Sequence, residues 1–138
     1  MQLNYLAILV CSLLSLALGF LWYGPLFGKI WMEISGMNTL DEVRKSEMQK
    51  NAWKLYSTQI IMSFFQIFII DYYLVVLEKA GGIQNVFWFW LAFIVPTVAG
   101  SVMWGSDSKK VSWQKFLIQA GYQLVLFLMF GFILGFWK

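Results

Sequence analysis

Apolar residues run in four long blocks, over Leu3 to Tyr23, Leu55 to Leu77, Val86 to Trp104 and Phe116 to Trp137. Each is close to the roughly 20 residues that a helix needs to cross a hydrocarbon core. Three contain no charged side chain, and the second contains only Asp71. Four such helices in a soluble domain would leave almost no chain to shield them from water. The pattern therefore predicts an all-α polytopic membrane protein, a bundle of four transmembrane helices forming one domain over 1–138. The connector over 24–54 is the only long one. Within it Thr39 and Glu42 have the spacing of a capping box, and Met48, Ala52 and Leu55 share a stripe. These features predict a cytoplasmic amphipathic helix starting near Leu40, which lies on the membrane surface or runs straight into the second span.

Polar residues inside the spans also follow helical spacing. Ser12, Ser15 and Gly19 share a stripe in the first span, and Gln59, Ser63 and Gln66 share one in the second. Thr97, Gly100 and Ser101 follow Pro96 in the third, and Gln119, Tyr122 and Gln123 lie together in the fourth. Buried amides and hydroxyls in lipid need partners, so these stripes should face one another. They either hold the bundle together by hydrogen bonds across helices or line a site for a small molecule or lipid. Gly131 and Gly135 form a small-xxx-small pair that allows close helix approach, within one chain or between copies. Asp71 is the candidate ion- or proton-handling group, because an ionisable side chain in a span is costly.

The composition supports the membrane assignment. Hydrophobic residues make up 60% and charged residues 12%, too few charges to cover a soluble surface. With no His and one Cys, the chain builds no His or Cys metal cage, no Ser-His or Cys-His couple and no internal disulfide. No metal or other cofactor is expected, and Cys11 reads as a small packing residue. The net charge of +3 serves orientation rather than nucleic-acid binding. Lys29, Arg44, Lys45, Lys50 and Lys54 lie in the first connection, and Lys109, Lys110 and Lys115 in the third; the opposite side has Lys79 and Lys138. The positive-inside rule puts the first group in the cytoplasm and both termini outside, in a cytoplasmic (inner) membrane.

By this orientation all four polar stripes meet between the midplane and the cytoplasmic surface. Ser15, Thr97 and Gln123 each lie about 10 to 12 Å from the cytoplasmic end of their helix. A polar pocket open to the cytoplasm is the expected result.

The run from Gly19 through Trp22, Tyr23, Gly24, Pro25 and Gly28 to Trp31, with Pro96-Thr97 and Gln119-Ala120-Gly121-Tyr122, resembles a bacterial membrane-protein family catalogued as domain of unknown function 1761. The resemblance covers nearly the whole chain and implies four spans, without an activity. It also implies an asparagine where this chain has Gln119. Read as residues, Trp22 and Tyr23 anchor a span end, Gly24 and Pro25 end the helix, and Trp31 lies along the membrane surface. Such an elbow is structural or part of a binding motif.

Three functions are compatible with these residues. The first is an oligomeric bundle, a homo-oligomer, that binds or passes a small solute, ion or lipid through the cytoplasm-facing polar cluster. The second is a non-catalytic scaffold or accessory subunit. The third, a membrane-embedded enzyme, lacks paired carboxylates and phosphate-loop or dinucleotide glycine patterns.

Overall fold

A computed structural model describes residues 3–76 and 81–137. The end of the second span at Leu77 and the orientation residues Lys79 and Lys138 lie outside the described residues. Among the described residues the chain is all helix and turn. Four helical stretches are long and apolar enough to cross a bilayer: Tyr5–Leu26, Glu42–Val76, Gly82–Met103 and Lys109–Phe136. The first is α1 (Tyr5–Leu21) continued by a widened turn at Trp22–Leu26, and a short α2 (Gly28–Ile34) follows. The second is α3 (Glu42–Val76). The third is α4 (Gly82–Phe89), a widened turn at Trp90–Ile94 and α5 (Val95–Met103); the fourth is α6 (Lys109–Phe136).

Packing centres on α6, which lies against α1, α4 and α5, while α3 packs on α1. Ile8, Ile67, Leu74, Val86, Phe130 and Leu134 are fully buried where these helices meet. The contact of α4 with α6 depends on glycine. A Cβ at Gly82 would overlap the Gly131 carbonyl oxygen, and one at Gly131 would lie 2.8 Å from the Gly82 carbonyl oxygen and 2.9 Å from Ile83 Cα. Gly131 and Gly135 thus serve a contact within the chain. Gly81 enters α4 with φ +103, a left-handed conformation suited to glycine.

One open alternative closes and two expectations change. First, α3 is one helix of 35 residues, so of the two arrangements expected for the connector helix it takes the second and runs straight into the span. Apolar Met48, Ala52 and Leu55 continue in helical phase into the span, and no breaker separates them. At 1.5 Å per residue α3 is about 52 Å long against a core of roughly 30 Å, so its exposed first part projects from the bundle. Second, the cap of α3 is Asp41, whose Oδ1 accepts from the Arg44 backbone N–H at 2.8 Å. Thr39 instead donates its hydroxyl back to the Gly36 carbonyl at 2.7 Å. A carboxylate suits the positive end of a helix.

Third, Gly24 and Pro25 do not end the first helix. They lie in the widened turn, where Phe27 N–H donates to the Trp22 carbonyl at 2.9 Å. Such a turn relieves the clash between a proline ring and the carbonyl four residues back. Pro96 is handled similarly: it lies in the first turn of α5, just after the second widened turn. The Thr97 hydroxyl donates to the Phe93 carbonyl beside it.

Candidate functional site

Most of the predicted polar stripes converge at the end of the bundle carrying the Lys- and Arg-rich connections. Tyr122 is buried and donates its hydroxyl to the Ser15 carbonyl at 3.1 Å, joining α6 to α1. Ser15 donates to the Ser12 carbonyl at 2.7 Å, and Ser12 to that of Ile8 at 2.8 Å. Both serine donors are thereby committed to their own helix, a common arrangement for hydroxyls in apolar helices. On α3, Gln59 Nε2 donates to Ser63 Oγ at 3.2 Å.

Between these helices lies a hollow of about 680 Å³, within the size range of small-molecule sites. Ser15, Gln59, Gln119, Tyr122 and Gln123 line it, as the sequence predicts. The Gln123 Oε1 atom is buried there and has no hydrogen-bond partner among the described residues. The rest of the wall is apolar or aromatic, with Phe20 and Tyr56 in tilted ring contact at 5.1 Å between centroids on the exposed rim. Among the described residues none of the lining side chains is an acid, a lysine or an arginine.

Other predicted residues lie elsewhere. Ser63 is buried beneath Gln59 and supports it, and Gln66 is half-buried outside the hollow. Thr97 is exposed, and Val98 takes its place in the lining. The widened turn Trp90–Ile94 has more than 3.6 residues per turn, which rotates α5 relative to the start of its span. Ser101 donates to the Val98 carbonyl at 2.8 Å and lines an adjoining hollow of about 300 Å³ with Ser35, Asp107, Lys115 and Gln119.

Asp71 lies at the other end of the bundle. The residue is 3% exposed, and its Oδ2 accepts from the Asn4 backbone N–H at 3.1 Å. Asn4 Oδ1 caps α1 by accepting from Ala7 N–H at 3.0 Å, and its Nδ2 donates to the Trp137 carbonyl at 2.7 Å. Asp71 is thus buried in protein yet level with helix ends. Sequence reasoning missed Asn4 as this junction, although an asparagine just before an apolar run is a helix-cap signal.

The Trp-Tyr-Gly-Pro elbow builds one wall of the site. Trp22 donates its indole N–H to the Ile118 carbonyl at 3.0 Å, and Gly121 leaves room for its ring: a Cβ there would lie 3.3 Å from Trp22 Cζ2. Tyr23 lies between Trp31 and Tyr122, at 5.1 and 5.5 Å between centroids, and lines the hollow with Gly24. A Cβ at Gly28 would stand 2.7 Å from the Tyr23 carbonyl oxygen, so α2 folds back closely only with glycine there. Trp90, which sequence position suggests is a headgroup anchor, donates instead to the Ala120 carbonyl at 2.9 Å. Helix α4 starts earlier than predicted, which brings Trp90 inside the span. Two indoles therefore fasten α6 at the residues that flank Gln119. Trp22→Phe, which keeps a ring and removes the N–H, is expected to cost about 1 kcal/mol, read as a lower thermal midpoint in detergent.

No curated protein and no solved structure matches the chain. A family model described as "Protein of unknown function (DUF1761)" matches residues 6–135. A match over nearly the whole length shows that the chain belongs to the DUF1761 family, whose function is not known.

Proposed function

We propose that this membrane protein binds or passes a small solute, ion or lipid through the hollow at its basic end. That end faces the cytoplasm across a bacterial inner membrane, with both termini outside. The proposal includes a homo-oligomer in which a second copy covers the open side of the hollow. One observation carries it: Gln123 lines a space large enough for a ligand, and its buried Oε1 has no hydrogen-bond partner among the described residues. Buried polar atoms in native proteins are nearly always hydrogen-bonded, and an orphan needs a water or a ligand. Tyr122 and the two serines do not supply that bond, because their hydroxyls donate to backbone carbonyls.

The test is to purify the protein in native lipid, image the hollow and identify retained small molecules by mass spectrometry. Non-protein density against Gln123, lost in Gln123→Leu together with the retained molecule, is the expected result. A hollow filled by repacked side chains, with nothing retained, refutes the reading. The accessory-subunit alternative is favoured by the exposed first part of α3, where Trp53 is 64% exposed. It expects a reproducible co-purifying protein and indifference to Gln123→Leu.

A further inference from the structure

The larger hollow and its smaller neighbour share Gln119 as a wall. Lys115, Gln119 and Gln123 recur every fourth residue along α6, so they form one stripe about 12 Å long. The stripe starts at the aqueous end, where Lys115 Nζ and Asp107 Oδ2 form an ion pair at 2.6 Å. The pair is partly exposed and belongs to the smaller hollow, beside Ser35 and Ser101. Further in, the polar side chains lining the larger hollow among the described residues are amides and hydroxyls.

Resting on the proposed binding function, we propose that the two hollows form one route and that its solute is electrically neutral and hydrogen-bonding. The solute comes from the basic side, passes the Asp107–Lys115 pair and Gln119, and is held at Gln123. A charged solute would leave water for a wall without a countercharge, which is costly at membrane depth. A neutral solute with N–H or O–H groups loses little, because Gln123 and Gln119 replace its water contacts. The ion pair itself carries no net charge.

Thiol accessibility tests this in lipid nanodiscs. The native Cys11 is fully buried and serves as a silent background. Gln123→Cys and Val98→Cys place reporters on two walls, and Lys110→Cys is the exposed control. The probes are hydroxyethyl, trimethylammonioethyl and sulfonatoethyl methanethiosulfonate, which are neutral, cationic and anionic. With rates normalised to the control, the neutral probe should modify both reporters roughly tenfold or more faster than either ion. Adding Gln119→Phe should slow all three probes at the reporters and leave the control unchanged. Asp107→Asn, which exposes the Lys115 charge, should speed the anionic probe alone by about threefold.

Equal normalised rates for neutral and charged probes would overturn the neutral-solute assignment while keeping the hollow as a site. Rates indifferent to both Gln119→Phe and Asp107→Asn would overturn the route. Silence of both reporters toward every probe would overturn the underlying binding reading as well.

Discussion

Gly131→Leu is expected to prevent α4 from docking on α6 and so to abolish the folded state. Even the first carbon of a side chain at Gly131 would stand 2.8 Å from the Gly82 carbonyl oxygen and 2.9 Å from Ile83 Cα. These are backbone atoms of a helix and cannot turn aside as the end of a flexible side chain does. The cost should lie at or beyond the upper end of the about 1 to 3 kcal/mol typical of overpacking. Because α4 continues into α5, its displacement also removes Val98 from the wall of the hollow. Gly135→Ala is the matched control, since its Cβ would lie 3.6 Å from Gly82 Cα, an ordinary contact. That variant should be neutral or slightly stabilising, as Ala exceeds Gly in helix propensity by about 1 kcal/mol. Thermal unfolding monitored by size-exclusion chromatography checks both. A folded Gly131→Leu protein with an unchanged midpoint would mean that α4 and α6 do not meet here.

The four spans and the polar stripes of three of them were legible in the chain because both follow from helical period alone. Ser15, Gln59, Gln119, Tyr122 and Gln123 reach one hollow on unbroken stretches of α1, α3 and α6. Thr97 fails that extrapolation for a local reason. A widened turn before Pro96 changes the number of residues per turn, and no spacing of polar residues announces it. The helix boundaries moved where a cap outranked hydropathy. Ser108 accepts from Val111 N–H at 3.4 Å, and α6 begins at Lys109, well before the apolar run at Phe116. The double role of the elbow was also hidden, because an indole N–H aimed at a distant carbonyl looks in sequence like any interfacial tryptophan. Trp22 and Trp90 differ from the exposed Trp104 only in what the fold brings beside them.

Asp71→Leu should destabilise the protein strongly, and Asp71→Asn should separate a structural role from proton or ion handling. The carboxylate lies at the N-terminal end of α1, where unpaired N–H groups concentrate partial positive charge. It accepts from Asn4, whose own side chain caps α1 and reaches the Trp137 carbonyl at the end of α6. One acid on α3 thereby helps to hold the ends of two other helices through Asn4. Leucine would leave the Asn4 N–H without this acceptor, at a cost of roughly 1.5 to 3 kcal/mol for a bond to a charged group. Asparagine keeps a carbonyl oxygen at that position but loses the charge, so it should recover about half of the loss in thermal stability. If Asp71 only braces the helix ends, ligand retention at the distant hollow should follow stability in both variants. Retention or flux lost in Asp71→Asn at an undiminished thermal midpoint would instead assign the carboxylate to moving a proton or a cation.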